Sequence, residues 1–304
     1  MIEFFILGDM GSGEDAQYIV ANDMKQKLNT YKEDRFICGL GDNIYEKGVS
    51  SVNDTQFNEK FEVPYKDINI PFQMCLGNHD YGEAINNEWP ASDIQVEYSS
   101  NSTKWKMDSK YYTFRKTDKT DKTDKPTTID FFVFDTNLNK MKPHEIETQK
   151  RKMIQKIKDS NADWKIAYGH HTFISVGGHG NADDIFETFI TDIFKEAPFD
   201  VYMCGHDHNK QVIRTKIDFN ELCLIVCGTG GKVYHNKDAR RRGSYCNYDN
   251  IDENSTLEYC SNNLGYGIIQ ASKTETQSRL KIEFMSEGNI SEYKCELTKK
   301  KSNK

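Results

Sequence analysis

Short runs of hydrophobic residues, each ending in a glycine followed by polar residues, recur along the chain. The first three runs span residues 2–7, 35–40 and 71–76, and they end in Gly-Asp, Gly-Asp-Asn-Ile-Tyr and Gly-Asn-His-Asp. Two more span residues 164–168 and 199–204, and they end in Gly-His-His and Gly-His-Asp-His-Asn. Runs of this length predict buried β-strands. Because α/β sheets carry their sites where such strands end, we expect these polar residues to converge.

Hydrophobic residues at helical spacing separate several of the strands and predict helices. One helix is expected after residue 15, and a second is expected to begin at Pro143, since proline suits the first helical position. A third has a broad hydrophobic face. The residues of that face are Ile185, Phe186, Phe189, Ile190 and Ile193.

Other segments predict strands without helices, or no regular structure. Residues 93–135 are expected to contain a hairpin but no helix, and residues 265–285 predict a closing hairpin. The connection at residues 116–126 repeats Lys-Thr-Asp three times without a hydrophobic residue, which is typical of a mobile loop. We expect residues 236–263 to form a polar loop and residues 299–304 a disordered lysine-rich tail.

The overall composition excludes several classes of protein. The 304 residues have a formal net charge of -7, which does not favour nucleic-acid binding. No stretch approaches the ~18 to 20 hydrophobic residues of a membrane span, so we expect no membrane partner. The chain opens with a strand-like run that is too short for a signal peptide, so a cytoplasmic location is expected. A secreted or lysosomal location stays open if a leader is missing from the sequence.

The eight cysteines do not form a disulfide framework. Five of them lie inside hydrophobic runs, where a free thiol behaves as a small buried hydrophobic group. Cys246 and Cys260 lie in a polar segment and are the only pair for which a disulfide is considered. The sequence leaves that bond open.

Residues that bind metals or transfer protons stand at five independent strand ends. A single one carries little weight, because aspartate and asparagine also stabilise turns and a histidine often binds the backbone. Two carboxylates, an amide, a phenol and three imidazoles exceed the needs of one tetrahedral ion, and they suit two ions about 3.5 to 4 Å apart. The candidates are Asp9, Asp42, Tyr45, Asn78, His79, His170, His179, His206 and His208.

Tyr45 indicates which metal one of these sites would hold. A phenol with an ordinary pKa near 10 becomes a ligand only where a strongly Lewis-acidic ion removes its proton, as Fe(III) does. The other site would be built from neutral imidazoles and an amide. Such donors suit a divalent ion, namely Fe(II), Zn or Mn.

The ordered series Gly-Asp-x-Gly, Gly-Asp-Asn-x-Tyr, Gly-Asn-His-Asp, Gly-His and Gly-His-x-His resembles the metallophosphoesterase superfamily. The stretch Cys-Gly-His-Asp-His-Asn-x-Gln is similar to that of the small, tartrate-resistant purple acid phosphatases. This resemblance implies one calcineurin-like metallophosphoesterase domain, residues 1–298, folded as a four-layer α/β/β/α sandwich of two mixed β-sheets. It also implies two sets of ligands: Asp9, Asp42, Tyr45 and His208 for Fe(III), and Asp42, Asn78, His170 and His206 for the divalent ion.

The activity that the resemblance implies is that of an acid phosphatase, in which a metal-bound hydroxide attacks the phosphorus of a phosphate monoester. His79 and His179 lie outside the ligand sets and are placed to stabilise the developing charge or to protonate the leaving group. His171 is interpreted as structural. The expected substrate is a small phosphate ester or a phosphoprotein, and we expect a monomer.

Two departures from the family pattern leave the substrate open. Thr172 stands near the position of a tyrosine-proline pair that is missing here, and residues 228–232 differ in detail from the usual segment. A phosphodiesterase or a protein phosphatase on the same site is therefore an alternative. A scaffold that keeps the fold without catalysis is another, although such a protein would be expected to lack ligands and all seven are present.

Overall fold

Two mixed β-sheets, each with seven strands, form the centre of the protein. The computed structural model describes residues 1–29, 34–119, 126–232 and 246–300. Numbered in chain order, the strands of sheet 1 lie in the spatial order β14 (Ile290–Lys300), β13 (Gln277–Ser286), β12 (Gly265–Lys273), β1 (Ile2–Leu7), β2 (Phe36–Gly39), β3 (Phe72–Met74) and β4 (Trp105–Lys106). Those of sheet 2 lie in the order β11 (Ser255–Ser261), β9 (Lys210–Ile217), β10 (Asn220–Cys227), β8 (Val201–Cys204), β7 (Trp164–Tyr168), β6 (Thr128–Val133) and β5 (Tyr112–Thr117).

Helices cover the outer faces of both sheets. The α-helices are α1 (Asp15–Leu28), α2 (Thr55–Phe57), α3 (Pro90–Glu97), α4 (Pro143–Asp159) and α5 (Asp184–Glu196). A π-helical turn spans Asn58–Glu62, and short 3-10 helices span Tyr98–Ser100, Leu138–Lys140, Tyr248–Asn250 and Glu287–Asn289. The buried side of α1 packs into the same core as sheet 1, whereas α4 and α5 pack against sheet 2. The layers are therefore α/β/β/α, as the resemblance implied.

The alternation of side chains in β8 shows why all four residues of this strand are hydrophobic. Val201 and Met203 point into the core between the two sheets, and Tyr202 and Cys204 point toward the helices. A strand covered on both faces has no position for a solvent-exposed polar residue. Both faces of β8 are consequently buried.

The site-bearing ends of the two sheets meet at one edge. β1, β2 and β3 run parallel in sheet 1, and β6, β7, β8 and β10 run parallel in sheet 2. Backbone hydrogen bonds join the sheets there: Gly8 donates to Cys227 at 2.8 Å and accepts from Gly230 at 3.0 Å. The loops that follow these strands are thus held within contact of one another.

A buried ion pair joins the two sheets close to this edge. Lys210 begins β9 in sheet 2, and its Nζ lies 2.6 Å from Glu292 Oε2 in β14 of sheet 1. The same Nζ donates to the carbonyl of Met285 at 3.0 Å. The side chain of Lys210 is fully buried, and its contacts with Glu292 and the carbonyl offset the cost of removing the ammonium group from water.

The structure corrects four expectations about secondary structure. Residues 93–97 belong to α3, although no helix was expected there. β11 lies within the segment expected to be a loop. β14 continues to Lys300, so Lys299 and Lys300 are not a disordered tail, while residues 301–304 lie outside the described residues. Lys116 and Thr117 are the last residues of β5 rather than the start of a mobile loop, and residues 120–125 also lie outside the described residues.

One expectation about the predicted helix face was also wrong. Ile185 is 49% exposed, whereas Phe186, Phe189, Ile190 and Ile193 are buried as predicted. Ile185 is the second residue of α5. It lies in the first turn of the helix, and the buried face begins one residue later, at Phe186.

Cys246 and Cys260 form a disulfide, with their Cα atoms 6.3 Å apart. Cys260 lies in β11, and Asn247 donates its backbone N–H to the carbonyl of Val176. The bond therefore ties β11 to the segment that packs on the loop after β7. The other six cysteines are free thiols.

No helix in the described part of the chain is both long enough and apolar enough to span a lipid bilayer.

Candidate metal centre

Three of the candidate ligands occupy a backbone conformation that is rare for residues other than glycine. Asp9 after β1, Asp42 after β2 and His206 after β8 have φ angles of 55°, 51° and 69°. This left-handed region costs about 1 to 3 kcal/mol for such residues, and it persists where the surrounding structure enforces it. Each of the three residues therefore sits in a sharp turn directly after a strand.

The glycines at the strand ends leave space for ligands from neighbouring strands. A Cβ atom on Gly205 would lie 2.4 Å from Oδ2 of Asp9. A Cβ atom on Gly77 would lie 2.2 Å from Oδ1 of Asp42. Any other residue at these positions would displace a carboxylate, which explains why a glycine precedes the polar residue in the repeated pattern.

A first group of donor atoms forms a nearly equilateral triangle. Tyr45 Oη lies 3.0 Å from Asp9 Oδ1 and 3.2 Å from His208 Nε2, and His208 Nε2 lies 3.3 Å from Asp9 Oδ1. Donors about 2.0 to 2.2 Å from one ion are separated by roughly 3 Å. The triangle therefore has the dimensions of one face of a metal coordination shell.

A second group surrounds His170 Nε2. Asn78 Oδ1 lies 3.1 Å from it, His206 Nδ1 3.2 Å and Asp42 Oδ1 3.4 Å. His170 Nδ1 lies 2.9 Å from the carbonyl of Leu40, which can only accept, so this nitrogen carries a proton. In the neutral ring, Nε2 then presents a lone pair, as a metal ligand requires.

The electrostatics of the two groups fit a bound cation. Burial lowers the pKa of His170, but the carboxylate of Asp42 outweighs burial and raises that pKa to about 9. Burial, Asp42 and Asp9 together raise the pKa of the Tyr45 phenol well above its ordinary value. Asp9, Asp42 and His170 bring their ligand atoms within 4.8 Å of one another. A positive ion is what this arrangement of negative charge and lone pairs would stabilise.

A buried carboxylate links two of the ligand loops. Asp80 accepts hydrogen bonds from the backbone N–H groups of Asn43, Ile44 and Gly77, and from the side-chain amides of Asn43 and Gln95. Asn43 and Ile44 follow the candidate ligand Asp42, and Gly77 precedes the candidate ligand Asn78. Asp80 therefore fixes the relative positions of the loops after β2 and β3, a role that sequence reasoning missed.

A second buried network holds the loop that carries His179. Asp207 accepts from the backbone N–H of His179 at 2.9 Å and from the hydroxyl of Ser175. Gln211 donates to Ser175 Oγ at 2.7 Å and accepts from the N–H of Val176 at 3.0 Å. Sequence reasoning missed these roles as well. The only available signal was that Asp207 and Gln211 stand beside the candidate ligands in the chain.

The two histidines predicted to be catalytic flank the ligands from opposite sides. His79 is 32% exposed, its Nε2 lies 4.0 Å from Asp42 Oδ2, and its ring centroid is 4.5 Å from that of Tyr45. The ring centroid of His179 lies 4.2 Å from that of His206. The predicted ligands and both histidines are thus gathered at one edge of the sandwich.

His171 is held as a neutral ring. The hydroxyl oxygen of Thr136 accepts the backbone N–H groups of His170 and His171, so its own proton is directed to His171 Nδ1, 2.7 Å away. Burial and the neighbouring His170 lower the pKa of His171 to about 3. The ring centroid is 4.7 Å from that of His206. His171 therefore lies beside the second group of donors with its proton on Nε2.

Comparison with known proteins places this site in a family. Residues 2–210 match the family described as calcineurin-like phosphoesterase, which is more than half of the chain. The protein belongs to this family.

Acid phosphatases are among the relatives that this chain is similar to. The chain is 28% identical to tartrate-resistant acid phosphatase type 5 of Oryctolagus cuniculus over 251 residues, which is 75% of this chain and 73% of the relative. It is 29% identical to purple acid phosphatase 17 of Arabidopsis thaliana over 241 residues, covering 77% and 69%. The similarity to purple acid phosphatases that the motifs implied is confirmed.

Solved structures confirm the calcineurin-like fold. One is GAP50, described as "the anchor in the inner membrane complex of Plasmodium"; it has a TM-score of 0.77 and 21% identity, and the match covers 99% of this chain and 90% of that one. Purple acid phosphatase PPD1 from yellow lupin seeds, Lupinus luteus, has a TM-score of 0.69 and 15% identity, with coverage of 97% and 53%. At these identities the likeness concerns the fold alone.

Proposed function

We propose that the protein is a dinuclear-metal acid phosphatase that hydrolyses phosphate monoesters. The observation that carries the proposal is the triangle of Tyr45, Asp9 and His208 beside the cluster around His170. Asp42 lies between these two groups, since its carboxylate is 3.4 Å from His170 and also raises the pKa of Tyr45. Membership of a phosphoesterase family with acid phosphatase relatives supports the reaction class.

We propose two sets of ligands, with the carboxylate of Asp42 shared between them. The phenol of Tyr45 would give the first set its preference for Fe(III), because only a strongly Lewis-acidic ion offsets the raised pKa of that phenol. The second set suits Fe(II), Zn or Mn. The first set is Asp9, Asp42, Tyr45 and His208, and the second is Asp42, Asn78, His170 and His206.

When bound, the two ions would orient the phosphate ester and lower the pKa of the attacking water. The protein's own residues would handle charge and protons around them. His79, which lies beside Asp42, and His179, which lies beside His206, would donate hydrogen bonds to the phosphoryl oxygens. One of them would protonate the departing alcohol. The substrate would be a small phosphate ester or a phosphoprotein, bound by a monomeric enzyme.

The visible spectrum tests the ligand assignment directly. Tyrosinate bound to Fe(III) should colour the protein purple to pink, and Tyr45→Phe should remove the colour. His208→Ala should also remove the colour. His206→Ala is the matched control, since it should keep the colour and lose the second metal. An iron-loaded, active and colourless wild type would contradict the role given to Tyr45.

A phosphodiesterase or protein phosphatase on the same site is the main competing function. Turnover of an aryl phosphate, a bis-aryl phosphodiester and a phosphoprotein by the same preparation separates the three. Cleavage of the diester alone would refute the monoester assignment.

A scaffold without catalysis is the other competing function, because the structural neighbour from Plasmodium is described as an anchor. Against it, every predicted ligand of this chain lies within the two donor groups described above. Metal analysis of protein purified with ample iron and zinc provides the test. A content below about one ion per chain would refute the dinuclear proposal.

A further inference from the structure

A small cavity of about 200 Å³ adjoins the candidate metal centre. His171, His179 and His206 form its inner wall. His206 belongs to the second set of proposed ligands and His179 is a proposed proton donor. A group that leaves a phosphate bound at the metals would therefore meet this cavity next.

The lining changes from hydrophobic to polar between the floor and the rim. Leu138 and Phe186, at 4% and 3% exposure, lie in the floor. Asn139, Asn181 and Asp183 are exposed and lie at the rim. Among the described residues that line the cavity, Asp183 is the only aspartate or glutamate, and there is no lysine or arginine. The cavity thus combines a short hydrophobic floor with one negative charge.

The lysine that follows the lining residue Asn139 does not neutralise that charge. Lys140 follows Asn139, but its Nζ donates to the carbonyl of Asn78 at 2.8 Å. The same Nζ lies 5.0 Å from the centroid of the Tyr81 ring and 5.1 Å from that of Trp89. Lys140 is therefore held in a separate aromatic pocket.

Asp183 is also fixed in place. It is the N-cap of α5, and its Oδ1 accepts from the backbone N–H of Phe186 at 2.8 Å. Phe186 itself lies in the floor of the cavity. A ligand whose carbon chain packs on Phe186 would accordingly bring its far end to the Asp183 carboxylate.

We propose that this cavity holds the leaving group, and that it selects a short alcohol carrying an ammonium group. The inference rests on the proposed phosphomonoesterase function and names its substrate class. In the reaction, water adds its oxygen to phosphorus, the bond between phosphorus and the ester oxygen breaks, and the alcohol leaves with a proton. The methylene groups of the alcohol pack on Leu138 and Phe186, and the ammonium group pairs with Asp183.

The test compares two phosphate esters of similar size whose leaving groups carry opposite charges. These are 2-aminoethyl phosphate, whose leaving group carries an ammonium ion, and phosphoglycolate, whose leaving group carries a carboxylate; 2-hydroxyethyl phosphate is the neutral reference. The measured quantity is the ratio of kcat/KM for the first two esters. Comparing that ratio between wild type and variants cancels the intrinsic reactivity of each ester.

Asp183→Asn removes the charge and keeps the helix cap, since asparagine caps about as well as aspartate. The ratio should fall about tenfold, because an ion pair at roughly 4 Å in a largely aqueous rim favours the ammonium ester by about fivefold, and repulsion at a longer distance disfavours the carboxylate ester by about twofold. Asp184→Asn is the matched control. Asp184 is the next residue, is exposed and does not line the cavity, so its removal should leave the ratio unchanged.

Three outcomes would overturn the inference. The first is an unchanged ratio in Asp183→Asn. The second is an equal fall in both variants, which would indicate a long-range electrostatic effect of the lost charge rather than an ion pair in the cavity. The third is a metal-loaded wild type that fails to hydrolyse 4-nitrophenyl phosphate, which would refute the proposed function itself. Hydrolysis of 4-nitrophenyl phosphate with an unchanged ratio would refute the substrate class alone.

Discussion

Asp80→Asn tests whether a buried residue outside the two proposed ligand sets holds the metal centre in place. Five N–H groups converge on the two oxygens of Asp80. Gly77 N and the Asn43 side chain donate to Oδ2 at 2.7 and 3.0 Å, whereas Ile44 N and the Gln95 side chain donate to Oδ1 at 3.0 and 2.8 Å. The backbone N–H of Asn43 also donates to Oδ1, so an asparagine amide would turn its NH₂ group toward at least two donors in either orientation.

The loss of two hydrogen bonds to a charged acceptor costs about 3 kcal/mol of unfolding free energy, at about 1.5 kcal/mol each. Burial and the nearby Asp42 raise the pKa of Asp80 to about 6, so the measurement belongs at pH 7.5, where the carboxylate is ionised. Denaturant unfolding of chelator-treated protein gives the stability change without a contribution from metal. Because Asp80 links the loops of Asp42 and Asn78, metal content after reloading should fall as well.

Asp135→Asn is the matched control, since Asp135 is another fully buried aspartate. One of its oxygens accepts from the backbone and side chain of Asn137, and the other accepts from the hydroxyl of Tyr81. A hydroxyl oxygen can also accept, so the new NH₂ group would find a partner in Tyr81. The cost should stay below about 1 kcal/mol, with normal metal content. Equal stability losses in the two variants, or full metal content in Asp80→Asn, would refute the reasoning.

Two further predictions concern the connections around the centre. Gln211→Leu should lower kcat about tenfold while the visible spectrum and metal content stay unchanged. The reason is that Gln211 supports the loop of His179 without contacting a proposed ligand atom. Loss of metal in this variant would contradict this supporting role. Burial alone would raise the pKa of Glu292, but hydrogen bonds from Asn263 and Lys210 lower it below its ordinary value. The carboxylate therefore stabilises the fold above the ordinary glutamate pKa of about 4.3, and this contribution is lost as the pH falls through the lower folded-state pKa. Glu292→Gln should lower the free energy of unfolding by about 2 kcal/mol at pH 7, and by progressively less as the pH falls below 4. Denaturant unfolding measures this difference, and an equal loss at pH 3.5 would be inconsistent with the ion pair.

Much of the site could be predicted because its pattern is local in the chain. A strand, a glycine and a polar residue are consecutive, and the glycine is required where a carboxylate from another strand end approaches, as at Gly77 and Gly205. The supporting residues could not be assigned in the same way. Asp80 acts on Asn43, 37 residues away, and Gln211 acts on Val176, 35 residues away. Neither partnership has a periodicity or spacing that reveals it.

Three secondary-structure elements were not predicted, because they too depend on contacts with residues far away in the chain. β14 and β11 are edge strands with many exposed residues, so their hydrophobic signal is weak. β14 is recognisable only by its pairing with β13, from Gln277 opposite Lys300 to Ser286 opposite Ile290. α3 is only eight residues long and buries Ala91, Ser92 and Gln95 rather than a hydrophobic stripe. Tertiary contacts stabilise all three elements.

Local sequence specifies the strand ends, the chemical types of the candidate ligands and the order in which they occur, since these depend on neighbouring residues. The family resemblance implied which donors share a group, but the distances within each group depend on the tertiary structure. His206 and His208 are two residues apart, yet His206 Nδ1 lies 3.2 Å from His170 and His208 Nε2 lies 3.2 Å from Tyr45. The two histidines separate because the loop after β8 lies at the junction of the two sheets, where the candidate ligands that follow β1 and β2 meet those that follow β7.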